Sequence, residues 1–173
     1  MVRRAAVAPS PMSTRVIAID GLGGAGKSAL AGKLAPLLEA EVLCTDDFAS
    51  ADTPLEWWPR LIEQVLVPLS RNEPGRYQRY DWSKGRLAEW NDVAVAPFLV
   101  LEGVSSSRAA FAPYLAFRIW VETSRKERLR RGLERDGMDA RELWRGWMAA
   151  EDAYVSAEHP ERGADVVVSG ETP

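Results

Sequence analysis

Gly21-Leu22-Gly23-Gly24-Ala25-Gly26-Lys27-Ser28 spells G-x-x-x-x-G-K-[ST], a loop whose backbone N–H groups turn inward around a phosphate anion. Glycine permits that turn, because a β-carbon at several of these positions would block the approach of the anion. The pattern assigns contact with the β- and γ-phosphates to Lys27 and Mg²⁺ ligation to the Ser28 hydroxyl. The flanks supply the context the loop needs. Arg15-Val16-Ile17-Ala18-Ile19-Asp20 reads as a short buried strand, and Ser28 to Leu38 reads as a helix with apolar Leu30, Leu34, Leu37 and Leu38. The expected nucleotide-binding residues are therefore Gly21, Gly23, Gly24, Ala25, Gly26, Lys27, Ser28 and Ala29, with ATP and Mg²⁺ as the expected cofactors.

Four further apolar segments follow: Glu41 to Asp46, Phe98 to Glu102, Phe117 to Glu122 and Asp165 to Ser169. Helical periodicity fills most of the gaps. Leu55, Trp58, Leu61, Ile62, Val65, Leu66 and Leu69 recur at i, i+3, i+4, the stripe of a helix packed on a sheet. Leu143, Trp144, Trp147, Met148, Tyr154 and Val155 repeat the pattern, so the tryptophans there read as packing. Strands alternating with crossover helices predict an α/β fold of three layers, a five-stranded parallel sheet flanked by helices, with ligands gathered at the carboxyl ends of the strands.

Composition narrows the function classes. The chain has 173 residues and a formal net charge of -3, which argues against nonspecific nucleic-acid binding, a task for a basic surface. Cys44 is the only cysteine, so no internal disulfide forms; a reducing, cytoplasmic setting is expected. No apolar run approaches the roughly 20 residues of a membrane span. Residues 1–13, with Arg3, Arg4, Pro9 and Pro11, read as a disordered tail ahead of one domain over 14–173.

Two strand ends carry acids. Phe98-Leu99-Val100-Leu101-Glu102-Gly103 ends an apolar run in a carboxylate beside glycine, which makes Glu102 the candidate to hold Mg²⁺ or its water shell. Thr45-Asp46-Asp47-Phe48 places paired acids after the second strand, where a carboxylate can align an acceptor hydroxyl and take its proton late. Asp46 is the catalytic candidate and also a candidate for the metal's outer shell; Asp47 is equally suited to cap a helix. A cationic stretch, Arg125 to Gly137, reads as mostly helical, with Leu129 and Leu133 on the packed side and Arg128, Arg131 and Arg135 near one another on another arc. Guanidinium forks match phosphate oxygens, so this strip is expected to close as an arginine-rich lid.

From Val16 to Gly170 these residues resemble the uridine kinase and phosphoribulokinase branch of the P-loop kinases. Asp46-Asp47-Phe48-Ala49 is similar to the Asp-x-Phe-Tyr segment of uridine–cytidine kinases, which implies a catalytic role for Asp46. Asp52-Thr53-Pro54 resembles an Asp-His-Pro element that holds ribose hydroxyls, and Tyr80-Asp81-Trp82 resembles a Tyr-Asp-Phe element that lines the nucleobase pocket. The resemblance thus implies substrate contacts by Asp52 and Tyr80. Glu102-Gly103-Val104 is similar to the family's metal-binding Glu-Gly-Ile, and Arg131 and Arg135 match its lid arginines. Pro160 and Ala164-Asp165-Val166-Val167-Val168 resemble its last strand; His159, the sole histidine, precedes that proline and reads as a surface or packing residue. The base-contacting histidine of the family is replaced in a stretch that reads Ser83-Lys84-Gly85.

The reading that follows is a kinase using ATP and Mg²⁺ on a hydroxyl of a small metabolite, a nucleoside 5′-hydroxyl first, with Lys27, Asp46, Arg131 and Arg135 as the catalytic set. A kinase for another alcohol, such as a vitamin precursor or a sugar, is the nearest alternative. A nucleotide-driven switch is the other, against which stands the lack of an Asn-Lys-x-Asp base-reading tetrad. The expected partners are a nucleoside triphosphate and a hydroxyl acceptor, with no nucleic acid or membrane, and a homo-oligomer as an open option. Trp57, Trp58, Trp82 and Trp90 are candidates for a substrate cleft or an interface.

Overall fold

The computed structural model describes residues 1–50, 53 and 55–171. Its centre is a parallel five-stranded sheet in the order β2-β5-β1-β6-β7, where β1 is Arg15–Gly21, β2 Glu41–Cys44, β5 Phe98–Glu102, β6 Leu115–Glu122 and β7 Val166–Ser169. All five anticipated strands are present, and the α/β architecture is the one expected. Alternate residues of β1 enter opposite cores: Val16 and Ala18 face one cluster, Ile17 and Ile19 the other. Such two-sided burial makes the strands read as continuous apolar runs, which is why they were legible.

Helix α2 (Lys27–Leu38) crosses from β1 to β2 and buries Ala31, Leu34, Ala35 and Leu38. Leu37, expected on the packed stripe, is 68% exposed instead. On the opposite face, α3 (Trp58–Leu61), a π turn over Ile62–Leu66 and α4 (Val67–Ser70) run as one helical segment that buries Leu61, Val65, Leu66 and Leu69. Pro68 has no N–H to return to the carbonyl of Gln64, a local reason for the i→i+5 step before it. Between β6 and β7 come α5 (Arg125–Asp136) and α6 (Arg141–Glu158), which enclose a small third core of Leu133, Trp144 and Met148.

Three features depart from the sequence reading. Val2–Val7, expected within a loose tail, forms a short helix, α1, whose Ala5 is fully buried beside α2, and Arg4 reaches the Asp165 carbonyl at 3.0 Å. The second strand stops at Cys44, because Thr45–Asp47 tighten into a 3₁₀ turn. An antiparallel hairpin of β3 (Gly75–Asp81) and β4 (Arg86–Val93) stands apart from the main sheet. Only Tyr77, Asp81 and Val93 of its non-glycine residues are buried, so it carries no apolar alternation to read.

Candidate active site

The strand register sets the site's floor. Ile19 and Cys44 both pair with Glu102, so the carboxyl ends of β1, β2 and β5 lie side by side. Glu102 is buried, and its Oε1 accepts from Ser28 Oγ at 2.9 Å and from the Cys44 thiol at 3.6 Å. Burial, with Asp46 and Glu102 nearby, pushes the Cys44 thiol far up, so it stays protonated and unreactive. The predicted metal pair, Ser28 and Glu102, is thus in contact. A hydroxyl and a carboxylate are hard oxygen donors that suit Mg²⁺, which keeps several waters and takes the rest of its shell from substrate phosphates. Among the described residues no group of three or more His, Cys, Asp or Glu gathers as an all-protein cage, and Mg²⁺ does not need one.

The loop above this floor is packed as much against protein as it is open to a ligand. A β-carbon at Gly24, where φ is +77°, would meet the Arg128 carbonyl oxygen at 2.6 Å, and one at Gly23 would meet Glu151 Oε1 at 2.8 Å. Gly24 is thus required by α5 in addition to any anion, and a side chain at position 23 would push Glu151 of α6 aside. Lys27 is buried and folds back so that Nζ donates to the Leu22 carbonyl at 3.2 Å. The Gly23 N–H donates to Glu151 Oε1 at 2.7 Å, and Glu151 Oε2 pairs with the buried Arg128 at 3.1 Å. Burial raises the Glu151 carboxyl above its ordinary value against the pull of the Gly23 N–H, Lys27 and Arg128.

The paired acids separate. Asp47 accepts from Tyr77 Oη at 2.8 Å and is raised by burial, so it belongs to the join between the turn and the hairpin; it is not a helix cap. Asp46 is exposed at the cleft, and its backbone carbonyl accepts from Trp82 Nε1 at 2.9 Å. Its charge is felt by Arg135. Asp46, Glu102, Lys27, Ser28, Ala29, Arg131 and Arg135 line one cleft of about 710 Å³.

The lid arginines are engaged within the protein. Arg131 donates to Glu127 at 2.8 Å, to the Gly24 carbonyl at 3.3 Å and to the Gly170 carbonyl at 2.9 Å. Arg135 forms a two-bond fork with Asp136 and lies 5.6 Å over the Trp144 ring. Tyr80 is not on the cleft wall; it stands edge-on behind Trp82 at 5.2 Å, and Trp82 is the residue that faces the cleft. Asp52 lies outside the described residues. Trp57 and Trp82 line the cleft, whereas Trp58 packs on the core and Trp90 is half exposed under Arg76. His159 closes α6 in the left-handed conformation and is partly exposed, as a surface residue would be.

Sequence reasoning passed over Asp20 and Glu151, and it placed Arg128 on the lid strip, whereas Arg128 is buried against Glu151 and off the cleft wall. Asp20 is fully buried at the end of β1 and accepts five hydrogen bonds: from Gly21 N (2.7 Å), Ser105 N (2.9 Å), Ser107 N (3.0 Å), Ser107 Oγ (2.6 Å) and Tyr154 Oη (2.7 Å). An acid closing an otherwise apolar strand was the available signal for it. For Glu151 the signal was a charge on the same arc of α6 as Trp144, Met148 and Tyr154, all buried.

Fold and site together define a three-layer α/β protein with its cleft at the carboxyl edge of a parallel sheet. The solved structures it is similar to share that fold. A protein named as a possible uridine kinase from Bacillus stearothermophilus superposes with a TM-score of 0.70 at 21% identity over 96% of this chain and 94% of that one. One provisionally named a fructose transport system kinase from Silicibacter sp. TM1040 gives 0.72 at 19%, over 96% and 95%. A gluconokinase from Sinorhizobium meliloti 1021 gives 0.53 at 14%, over 94% and 86%. No family model and no curated protein matches the sequence.

Proposed function

We propose that this chain is an ATP- and Mg²⁺-dependent kinase that moves a γ-phosphoryl group to a hydroxyl of a small metabolite, a nucleoside 5′-hydroxyl being the first acceptor to test. The observation that carries this reading is the contact of Ser28 with Glu102 at 2.9 Å in the same cleft as Lys27, Asp46, Arg131 and Arg135. Mg²⁺ bound there would neutralise charge across the β- and γ-phosphate oxygens. The protein's own groups do the positioning. Loop N–H groups and Lys27 hold the polyphosphate, and Asp46 orients the acceptor hydroxyl and accepts its proton as the new O–P bond forms and ADP leaves. Arg135, and Arg131 on release from the Gly24 and Gly170 carbonyls, cover the transferring group.

The acceptor side supports a planar or cyclic alcohol through Trp57 and Trp82, with Asp52 proposed as a further substrate determinant and Tyr80 as a support that acts through Trp82. Two structural neighbours are named for fructose transport and gluconate, so sugars and sugar acids belong in the same panel as nucleosides. The test is ADP release with ATP–Mg²⁺ and each candidate alcohol, with product identification. Release that depends on an acceptor establishes the kinase. Release at the same rate without any acceptor replaces it with a hydrolysing switch.

A further inference from the structure

The face of α6 toward the nucleotide site is not only apolar. Trp144, Met148, Glu151, Tyr154 and Glu158 fall at i, i+4, i+7, i+10 and i+14, one continuous arc of the helix. Within this arc Glu151 is buried, with 6% of its surface exposed, and it meets the phosphate loop directly: Oε1 accepts the Gly23 N–H at 2.7 Å. Its other oxygen holds Arg128 at 3.1 Å, and the Arg128 main chain is what crowds Gly24. Arg128 Nε is itself buried without a hydrogen-bond partner among the described residues, so Glu151 is the anchor of that guanidinium.

We infer that Glu151 is a positioning residue for the phosphate loop, clamping Gly23 through its N–H and Gly24 through Arg128, so that the remaining loop N–H groups keep the curvature a polyphosphate needs. This rests on the function proposed above and adds a residue outside the loop that sets its shape. The physical case is one of burial. A carboxylate withdrawn from water next to a loop that must receive another anion is costly unless it is fully bonded, and here both oxygens are. A β-carbon at position 23 would sit 2.8 Å from Glu151 Oε1 and displace that carboxylate from its contact with the loop.

The experiment uses the full chain and inorganic tripolyphosphate with Mg²⁺ as the probe, followed by calorimetry, beside the Gly23 amide proton by NMR. Glu151→Gln keeps an acceptor oxygen for Gly23, Glu151→Asp withdraws it by one methylene, and Glu151→Ala removes it. Losing an acceptor from this bond is expected to weaken tripolyphosphate binding about tenfold in Glu151→Ala and about fivefold in Glu151→Asp, whereas Glu151→Gln, which keeps the Gly23 acceptor but gives up the Arg128 anchor, is expected to weaken it about threefold. The Gly23 amide proton should move upfield in Glu151→Ala and Glu151→Asp and stay near its wild-type position in Glu151→Gln. Should Glu151→Ala not fold, the Asp and Gln variants decide the matter alone. Wild-type binding with unchanged affinity and amide shift in Glu151→Asp overturns this inference and leaves the proposed function standing. Absence of any tripolyphosphate binding by the wild type overturns both.

Discussion

The phosphate-loop side of the cleft and the hairpin side are built on opposite terms. Around the loop, β1 is buried on both faces, Asp20 is saturated by five donors, and Gly23 and Gly24 are pinned by α6 and α5. The β3–β4 hairpin, in contrast, reaches the core only through Tyr77, stacked on Phe48, and Val93, and is otherwise tied by Tyr77 at Asp47, Arg60 at the Gln78 carbonyl and Trp82 at the Asp46 carbonyl, with exposed ion pairs such as Arg76 with Asp92 across its strands. Exposed pairs of that kind contribute about 0–1 kcal/mol each. A rigid loop side facing a more exposed hairpin side suits the proposed kinase, whose triphosphate would be constant and whose alcohol would distinguish it.

The contrast breaks most visibly if nucleotide-side changes fail to act on every acceptor alike. Lys27→Ala and Asp46→Asn are each expected to lower kcat by about 10²-fold or more with all acceptors in steady-state assays, since charge stabilisation and hydroxyl orientation are common to them. Arg135→Ala is expected to lose a comparable or somewhat smaller factor, about 10²-fold, and to spare stability because its partner Asp136 also bonds Trp144 Nε1 at 2.9 Å. Next in size, Gly24→Ala forces a side chain to φ +77° against the Arg128 carbonyl; the expected loss is about 1–3 kcal/mol of stability, read as a lowered Tm with binding reduced in step. On the hairpin side, Trp82→Phe removes the bond to the Asp46 carbonyl and should raise the acceptor KM about threefold while leaving the ATP KM unchanged.

The smallest expected effect concerns pH. Burial holds the folded Asp47 carboxyl above its unfolded value, so between those two values the native state binds more protons than the unfolded one. Its contribution therefore improves as pH falls through the folded value and turns into a penalty above it. Asp47→Asn keeps an acceptor for Tyr77 and removes the penalty: relative to wild type its Tm should be higher near about pH 7.5, with the gain shrinking near about pH 4.5. A gain of equal size at both values would show that Asp47 is not penalised by burial.

Legibility followed burial and local geometry. The central strands could be read because two-sided burial writes an unbroken apolar run, and the loop could be read because its chemistry is contiguous. On α2 the periodicity misplaced one residue: Leu37 fits the spacing of a stripe but faces solvent, the buried line running through Ala31, Leu34, Ala35 and Leu38. The hairpin could not be read at all, since its strands mix charged, polar and aromatic residues without apolar alternation and pair with each other outside the main sheet. Glu102 was legible as the acid ending a strand, whereas Glu151 was hidden in a helix whose tryptophans dominate its pattern.

By itself the sequence determined the strand-loop-helix, the parallel architecture and the identity of the loop cations and strand-end acids, all consequences of contacts between near neighbours in the chain. Only the tertiary structure decided which of Asp46 and Asp47 faces the cleft, that the lid arginines rest on loop carbonyls and Asp136, and that a glutamate 128 residues from Gly23 grips the loop. Those outcomes depend on how distant elements meet, where burial and hydrogen-bond satisfaction choose among side chains that look alike in one dimension.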